Sequence, residues 1–118
     1  MTQSLEDYLE AIYNLASQEK GASVRAVASR LGVKMPSVVK AVHDLKHLGL
    51  VTQKPYGPIV LTEDGISMAR EVQNRHVLLR SFLEKLGVSI ANADHDACMM
   101  EHILSAETLD RIRVFMEK

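Results

Sequence analysis

One short run of this 118-residue chain holds three side chains able to ligate a metal or attack an electrophile: Cys98, Glu101 and His102, in the spacing Cys-x-x-Glu-His. On a helix, positions i, i+3 and i+4 share a face, so a thiolate, a carboxylate and an imidazole are expected to point the same way. Together they offer a divalent transition metal mixed soft and hard donors, and one or two further ligands would complete a site. Plainer readings stand beside this one. Cys98 is the only cysteine, and lone cysteines commonly pack as small hydrophobes, while a Glu-His pair on a helix is commonly surface. An enzymatic reading, with Cys98 as nucleophile and His102 as base, fits poorly. Side chains one turn apart on one helix run parallel rather than converging on a substrate, and no Gly-rich, oxyanion-binding turn precedes Cys98. The chain is therefore expected not to be an enzyme.

Other donors lie far away in sequence. Asp7 and Glu10 are three residues apart in a stretch where Leu5, Leu9, Ile12 and Leu15 recur at helical spacing, so their carboxylates share a face. Taken alone they read as a solvated surface pair. His76, flanked by Arg75, lies in the middle of a long helical pattern, where a single histidine is ordinarily structural or exposed. Met99 and Met100 read as adaptable core rather than ligands.

The elements that must position these groups follow from periodicity and punctuation. Hydrophobic residues make up 47% and charged residues 25%, a globular composition sufficient for one core of ordinary size. No run of about 18 apolar residues exists to span a membrane, and the start lacks a secretory pattern, so a soluble cytoplasmic protein is expected. Thr2 or Ser4 caps a first helix ending near Gly21. Ser23 caps a short helix that Gly32 closes, and Pro36 suits the first turn of another carrying Val38, Val39, Val42, Leu45 and Leu48. Thr62 opens a long helix running to Gly87, and Ser105 a last one with Leu109, Ile112 and Phe115.

Helix, glycine turn, helix is the helix-turn-helix arrangement, whose second helix presents its N-terminal residues to the major groove. Those residues are Lys34, Met35, Pro36, Ser37 and Lys40. Next come Leu50-Val51-Thr52-Gln53-Lys54 and Ile59-Val60-Leu61-Thr62 around Pro55-Tyr56-Gly57-Pro58, a hairpin with the place of a wing. Lys54 and Tyr56 at its tip are expected at backbone phosphates. Net charge is only −1, but between positions 23 and 57 six basic side chains, Arg25 among them, face the single carboxylate of Asp44. One basic block on a near-neutral chain is compatible with local contact to double-stranded DNA.

The order of parts, with the leading Asp7-Tyr8-Leu9-Glu10-Ala11-Ile12-Tyr13, the winged helix, Arg75-His76, and Cys98-x-x-Glu101-His102 before Leu104-Ser105, resembles the diphtheria-toxin-repressor family of metal-dependent transcriptional repressors. The resemblance spans the whole chain, in a short form without the SH3-like domain. It implies a mainly α fold with a small β-hairpin: a winged helix-turn-helix over residues 1–62, then a helical dimerisation and metal-binding subdomain over 63–118. It further implies a homodimer on a palindromic operator and metal ligands Asp7, Glu10, His76, Cys98, Glu101 and His102. Asp7 looks like the family's manganese-sensing branch and Cys98 like its iron-sensing branch. Positions that form an ancillary site in the iron branch hold Arg80 and Asp94 here, and His95 is expected at the surface. A thiolate favours Fe(II), Co(II) or Zn(II) over Mn(II), so Fe(II) is the expected metal and Mn(II) the alternative. A winged-helix repressor sensing redox state or a small molecule through Cys98, without metal, is the remaining reading.

Overall fold

Hydroxyl side chains open every helix but the third. In the computed structural model, which describes residues 1–17 and 21–118, the Thr2 hydroxyl accepts from the Leu5 N–H and opens α1 (Gln3–Ala16). Ser23 accepts from Ala26 and opens α2 (Val24–Leu31). Each cap satisfies an otherwise orphaned donor and is worth about 1 kcal/mol. Gly32, in the left-handed conformation at φ +66, closes α2 and turns the chain toward α3 (Met35–His47). A first helix reaching nearly to Gly21 is not what forms. α1 closes at Ala16 with Ser17 as its cap, and positions 18–20 lie outside the described residues.

Strands β1 (Val51–Gln53) and β2 (Ile59–Leu61) pair antiparallel with Val51 opposite Leu61 and Gln53 opposite Ile59. The Ile59 N–H also donates to the Ala22 carbonyl at 2.8 Å, tying the hairpin to the entrance of α2. Thr62 then does two jobs. Its hydroxyl donates to the Gly49 carbonyl and accepts from the Gly65 N–H, opening α4 (Glu63–Lys85). Gly65 has no room for a side chain, because a Cβ there would collide with the carbonyl oxygen of Leu50. After α4 come α5 (Ile90–Met100), capped by Ser89, and α6 (Ala106–Met116), capped by Ser105.

The chain forms two compact units, Met1–Arg70 and Glu71–Lys118, dividing within α4. The first is a winged helix-turn-helix around a core that includes Leu9, Ile12, Val27, Val38, Leu45 and the inward strand residues Val51 and Ile59. The second is helical, with Leu79, Ala97 and Leu109 buried together against Leu104 and Ile112. Its Phe82 and Phe115 rings meet edge to face, and Lys85 lies over the Phe115 ring. The expected mainly α class with one small hairpin is therefore the observed one. Among the described residues no helix is long and apolar enough to cross a membrane.

Candidate metal centre and nucleic-acid interface

The second unit brings three of the anticipated ligands to one place. One ligand atom each from His76, Cys98 and Glu101 lies within 4.8 Å of the others. Metal–ligand bonds of about 2.0–2.3 Å put ligand atoms around one ion no more than about 4.6 Å apart, so the three donors stand at a separation comparable with that of ligands to a shared ion. His76 comes from the middle of α4, and the other two from the end of α5.

The helix carrying Cys98 stops sooner than the spacing suggests. α5 ends at Met100, and Glu101 is its cap residue, with backbone still helical at φ −59, ψ −21. Cys98 and Glu101 therefore keep the i, i+3 relation, whereas His102 stands in the turn beyond and is placed by that turn. His102 nevertheless meets the site: its Nε2 lies 3.3 Å from Glu101 Oε1, while His76 Nδ1 lies 3.1 Å from Glu101 Oε2. A fully buried carboxylate thus sits between two imidazoles. Burying a carboxylate costs several kcal/mol without compensation, so Glu101 depends on cationic or hydrogen-bonding neighbours.

Cys98 is exposed, which overturns its reading as a small buried hydrophobe. His95 is at the surface as expected, with its side chain 77% exposed. Asp94, expected only as a departure from an ancillary site, stands beside His76: its Oδ1 lies 2.8 Å from His76 Nε2. Periodicity did not point to this pair, whose members are 18 residues apart, although Asp94 lies one helical turn before Cys98 on α5. Asp7 and Glu10 belong to the first unit, where α1 holds both half-buried, next to buried Glu6.

In the first unit the anticipated DNA contacts are all on the surface: Arg25 on α2, Lys34 through Ser37 and Lys40 at the start of α3, and Lys54 and Tyr56 on the hairpin. α3 begins without a side-chain cap hydrogen bond, with Lys34 at the cap position and proline in its first turn. Val39 and Leu48 do not join the core; they are 56% and 53% exposed. The inward stripe runs through Val38, Val42 and Leu45, and its helical phase places Val39 on the outward face, where a methyl-bearing side chain can meet thymine methyls.

The hairpin tip is a tight turn in which the Gly57 N–H donates to the Lys54 carbonyl at 2.9 Å. Gln53 braces it with a side-chain bond to the Gly57 carbonyl. Pro55 occupies the second position and Tyr56 the third, with φ +60, the signature of a type II turn that favours glycine there. Tyr56 is thus a non-glycine residue in left-handed backbone with a fully exposed side chain, a conformation that costs energy locally.

A winged helix-turn-helix followed by a helical unit with a histidine–cysteine–glutamate cluster is the layout of a metal-responsive DNA-binding regulator. Comparison with known proteins agrees. Residues 1–59 match the DNA-binding domain of the iron-dependent repressor family, and residues 62–118 match that family's metal-binding and dimerisation domain. The chain belongs to the iron-dependent repressor family, whose members are metal-dependent transcriptional regulators. It is 40% identical to an HTH-type transcriptional regulator of Methanocaldococcus jannaschii, over 100% of this chain and 96% of that one. It is also 40% identical to the transcriptional regulator MntR of Escherichia coli, over 97% of this chain and 74% of that protein. The solved structure of a manganese-dependent transcriptional repressor in complex with manganese superposes with a TM-score of 0.84 at 28% identity, over 96% of this chain. This chain spans about half the length of that repressor, 52%.

Proposed function

We propose that this protein is an Fe(II)-responsive repressor that binds a palindromic operator as a homodimer in the cytoplasm, with residues 1–62 serving DNA binding and 63–118 metal binding and dimerisation. The observation that carries the reading is the convergence of His76, Cys98 and Glu101 donors within 4.8 Å. The proposed ligands are these three with His102, Asp7 and Glu10. The proposed DNA contacts are Arg25, Lys34, Met35, Pro36, Ser37, Lys40, Lys54 and Tyr56. Large exposed apolar residues in the second unit, among them Leu86 62%, Ile90 73% and Ile103 73% exposed, support burial against a second copy.

A bound divalent ion supplies positive charge. The chain's own residues do the rest: Cys98 provides the soft donor, Glu101 and the proposed Asp7 and Glu10 provide negative charge that repels itself when unneutralised, and His76 and His102 provide imidazole nitrogens on either side of Glu101. Because Asp7 and Glu10 belong to the DNA-binding unit and the other four ligands to the second unit, ligation by all six makes DNA affinity depend on metal occupancy, and reciprocally. The thiolate supports Fe(II) over Mn(II). Mn(II) is the second reading, favoured by likeness to the manganese-dependent repressor.

An anaerobic operator mobility-shift titration with Fe(II), Mn(II), Co(II) and Zn(II), run beside Cys98→Glu, tests both. Fe(II) is expected to activate the unaltered protein at the lowest concentration, and Cys98→Glu to move the preference toward Mn(II). Operator binding that survives a chelator under reducing conditions would instead support a redox or small-molecule sensor.

A further inference from the structure

The His76 ring has a carboxylate oxygen at each nitrogen, and the two carboxylates are differently placed. On one side Nε2 meets Asp94 Oδ1 at 2.8 Å, and on the other Nδ1 meets Glu101 Oε2 at 3.1 Å. Glu101 is fully buried among the candidate ligands, whereas the Asp94 side chain is 59% exposed. Only Nδ1 therefore looks into the donor cluster. An imidazole that ligates through one nitrogen carries its proton on the other, and a hydrogen-bond acceptor at that second nitrogen decides which tautomer is present and how the ring is turned.

We infer that Asp94 is a positioning residue for the metal centre: it accepts the Nε2–H of His76 and so leaves the Nδ1 lone pair facing Cys98 and Glu101. The inference rests on the reading of His76 as a ligand. Asp94 and Cys98 are four residues apart on α5, so one helical face carries both the acceptor that turns the His76 ring and the thiolate that shares its cation. Arg80, one turn after His76 on α4, carries no carboxylate that could take the place of Asp94. An outer carboxylate of this kind changes metal affinity by about 10–100-fold in other sites, and the exposure of Asp94 places the expected effect near the lower end, about tenfold.

The test uses the full chain, Asp94→Ala, Asp94→Asn and His76→Ala. Long-range nitrogen–proton NMR of the metal-free protein, at a pH where imidazoles are neutral, reads which His76 nitrogen bears the proton. Anaerobic calorimetry with Co(II) reads affinity and stoichiometry. The inference expects the Nε2-protonated form in the unaltered protein, a mixture of tautomers with about tenfold weaker Co(II) binding in Asp94→Ala, and recovery of most of both in Asp94→Asn, whose amide oxygen still accepts. Unchanged tautomer and affinity in Asp94→Ala would overturn it, and so would loss of one bound ion per chain, which would make Asp94 a ligand itself. If His76→Ala leaves Co(II) affinity unchanged, the ligand reading beneath the inference fails instead, so the two failures are distinguishable.

Discussion

Replacing Tyr56 by glycine should make the protein more stable and a weaker DNA binder at once. The left-handed backbone at φ +60 costs a residue with a Cβ about 1–2 kcal/mol, which glycine does not bear. Glycine has greater freedom in the unfolded chain, which returns roughly 0.4–1 kcal/mol of that gain. The Tyr56 side chain is fully exposed, so no packing is lost. The net expectation is a stabilisation of about 0.5–1 kcal/mol, read as a higher urea midpoint with unchanged slope. If the phenol hydroxyl contacts a phosphate, its removal costs about 1 kcal/mol of binding, or about fivefold in operator affinity. Since tyrosine carries no charge, the salt dependence should stay as it is, whereas Lys54→Ala should flatten the logarithmic salt slope by about 0.9. Fluorescence anisotropy with labelled operator over a range of salt concentrations reads both. A Tyr56→Gly protein that is less stable would refute the strain argument, and one with unaltered DNA affinity would refute a role for the hairpin tip in the interface.

Lys40→Ala should weaken operator binding at every metal concentration and lower the salt slope by about one, without altering metal affinity; a change in the calorimetric metal titration would count against its assignment to DNA. Gly65→Ala should destabilise the first unit by about 1–3 kcal/mol, because its methyl group meets the Leu50 carbonyl, which the pairing of Thr62 N–H with that same carbonyl holds in place. Thermal unfolding indistinguishable from the unaltered protein would show that the backbone there yields.

Much of the fold was legible because local chemistry and the observed structure agree. Ser23, Thr62 and Ser105 each cap the helix that they were expected to open, Thr2 rather than Ser4 caps the first, and the Pro-Tyr-Gly run makes the turn between two β-branched strands. The end of α1 was misjudged because no glycine or proline marks Ala16 as a stop, while Gly21 invites one. Val39 and Leu48 belong to the same apolar run as core residues, but the stripe through Val38, Val42 and Leu45 leaves both outside.

For the metal centre, sequence by itself determined which residue types are available and that Cys98 and Glu101 share one helical face, since that relation follows from the geometry of a single helix. It also determined the class of protein, because separated motifs in a set order are a property of the chain. Tertiary structure alone decided that α5 ends before His102, that Glu101 is fully buried while Cys98 is exposed, and that the ring of His76 is set between Asp94 and Glu101. Those facts depend on how α4 packs against α5, and a contact between residues 18 or 25 positions apart leaves no periodic trace in sequence for local reasoning to find.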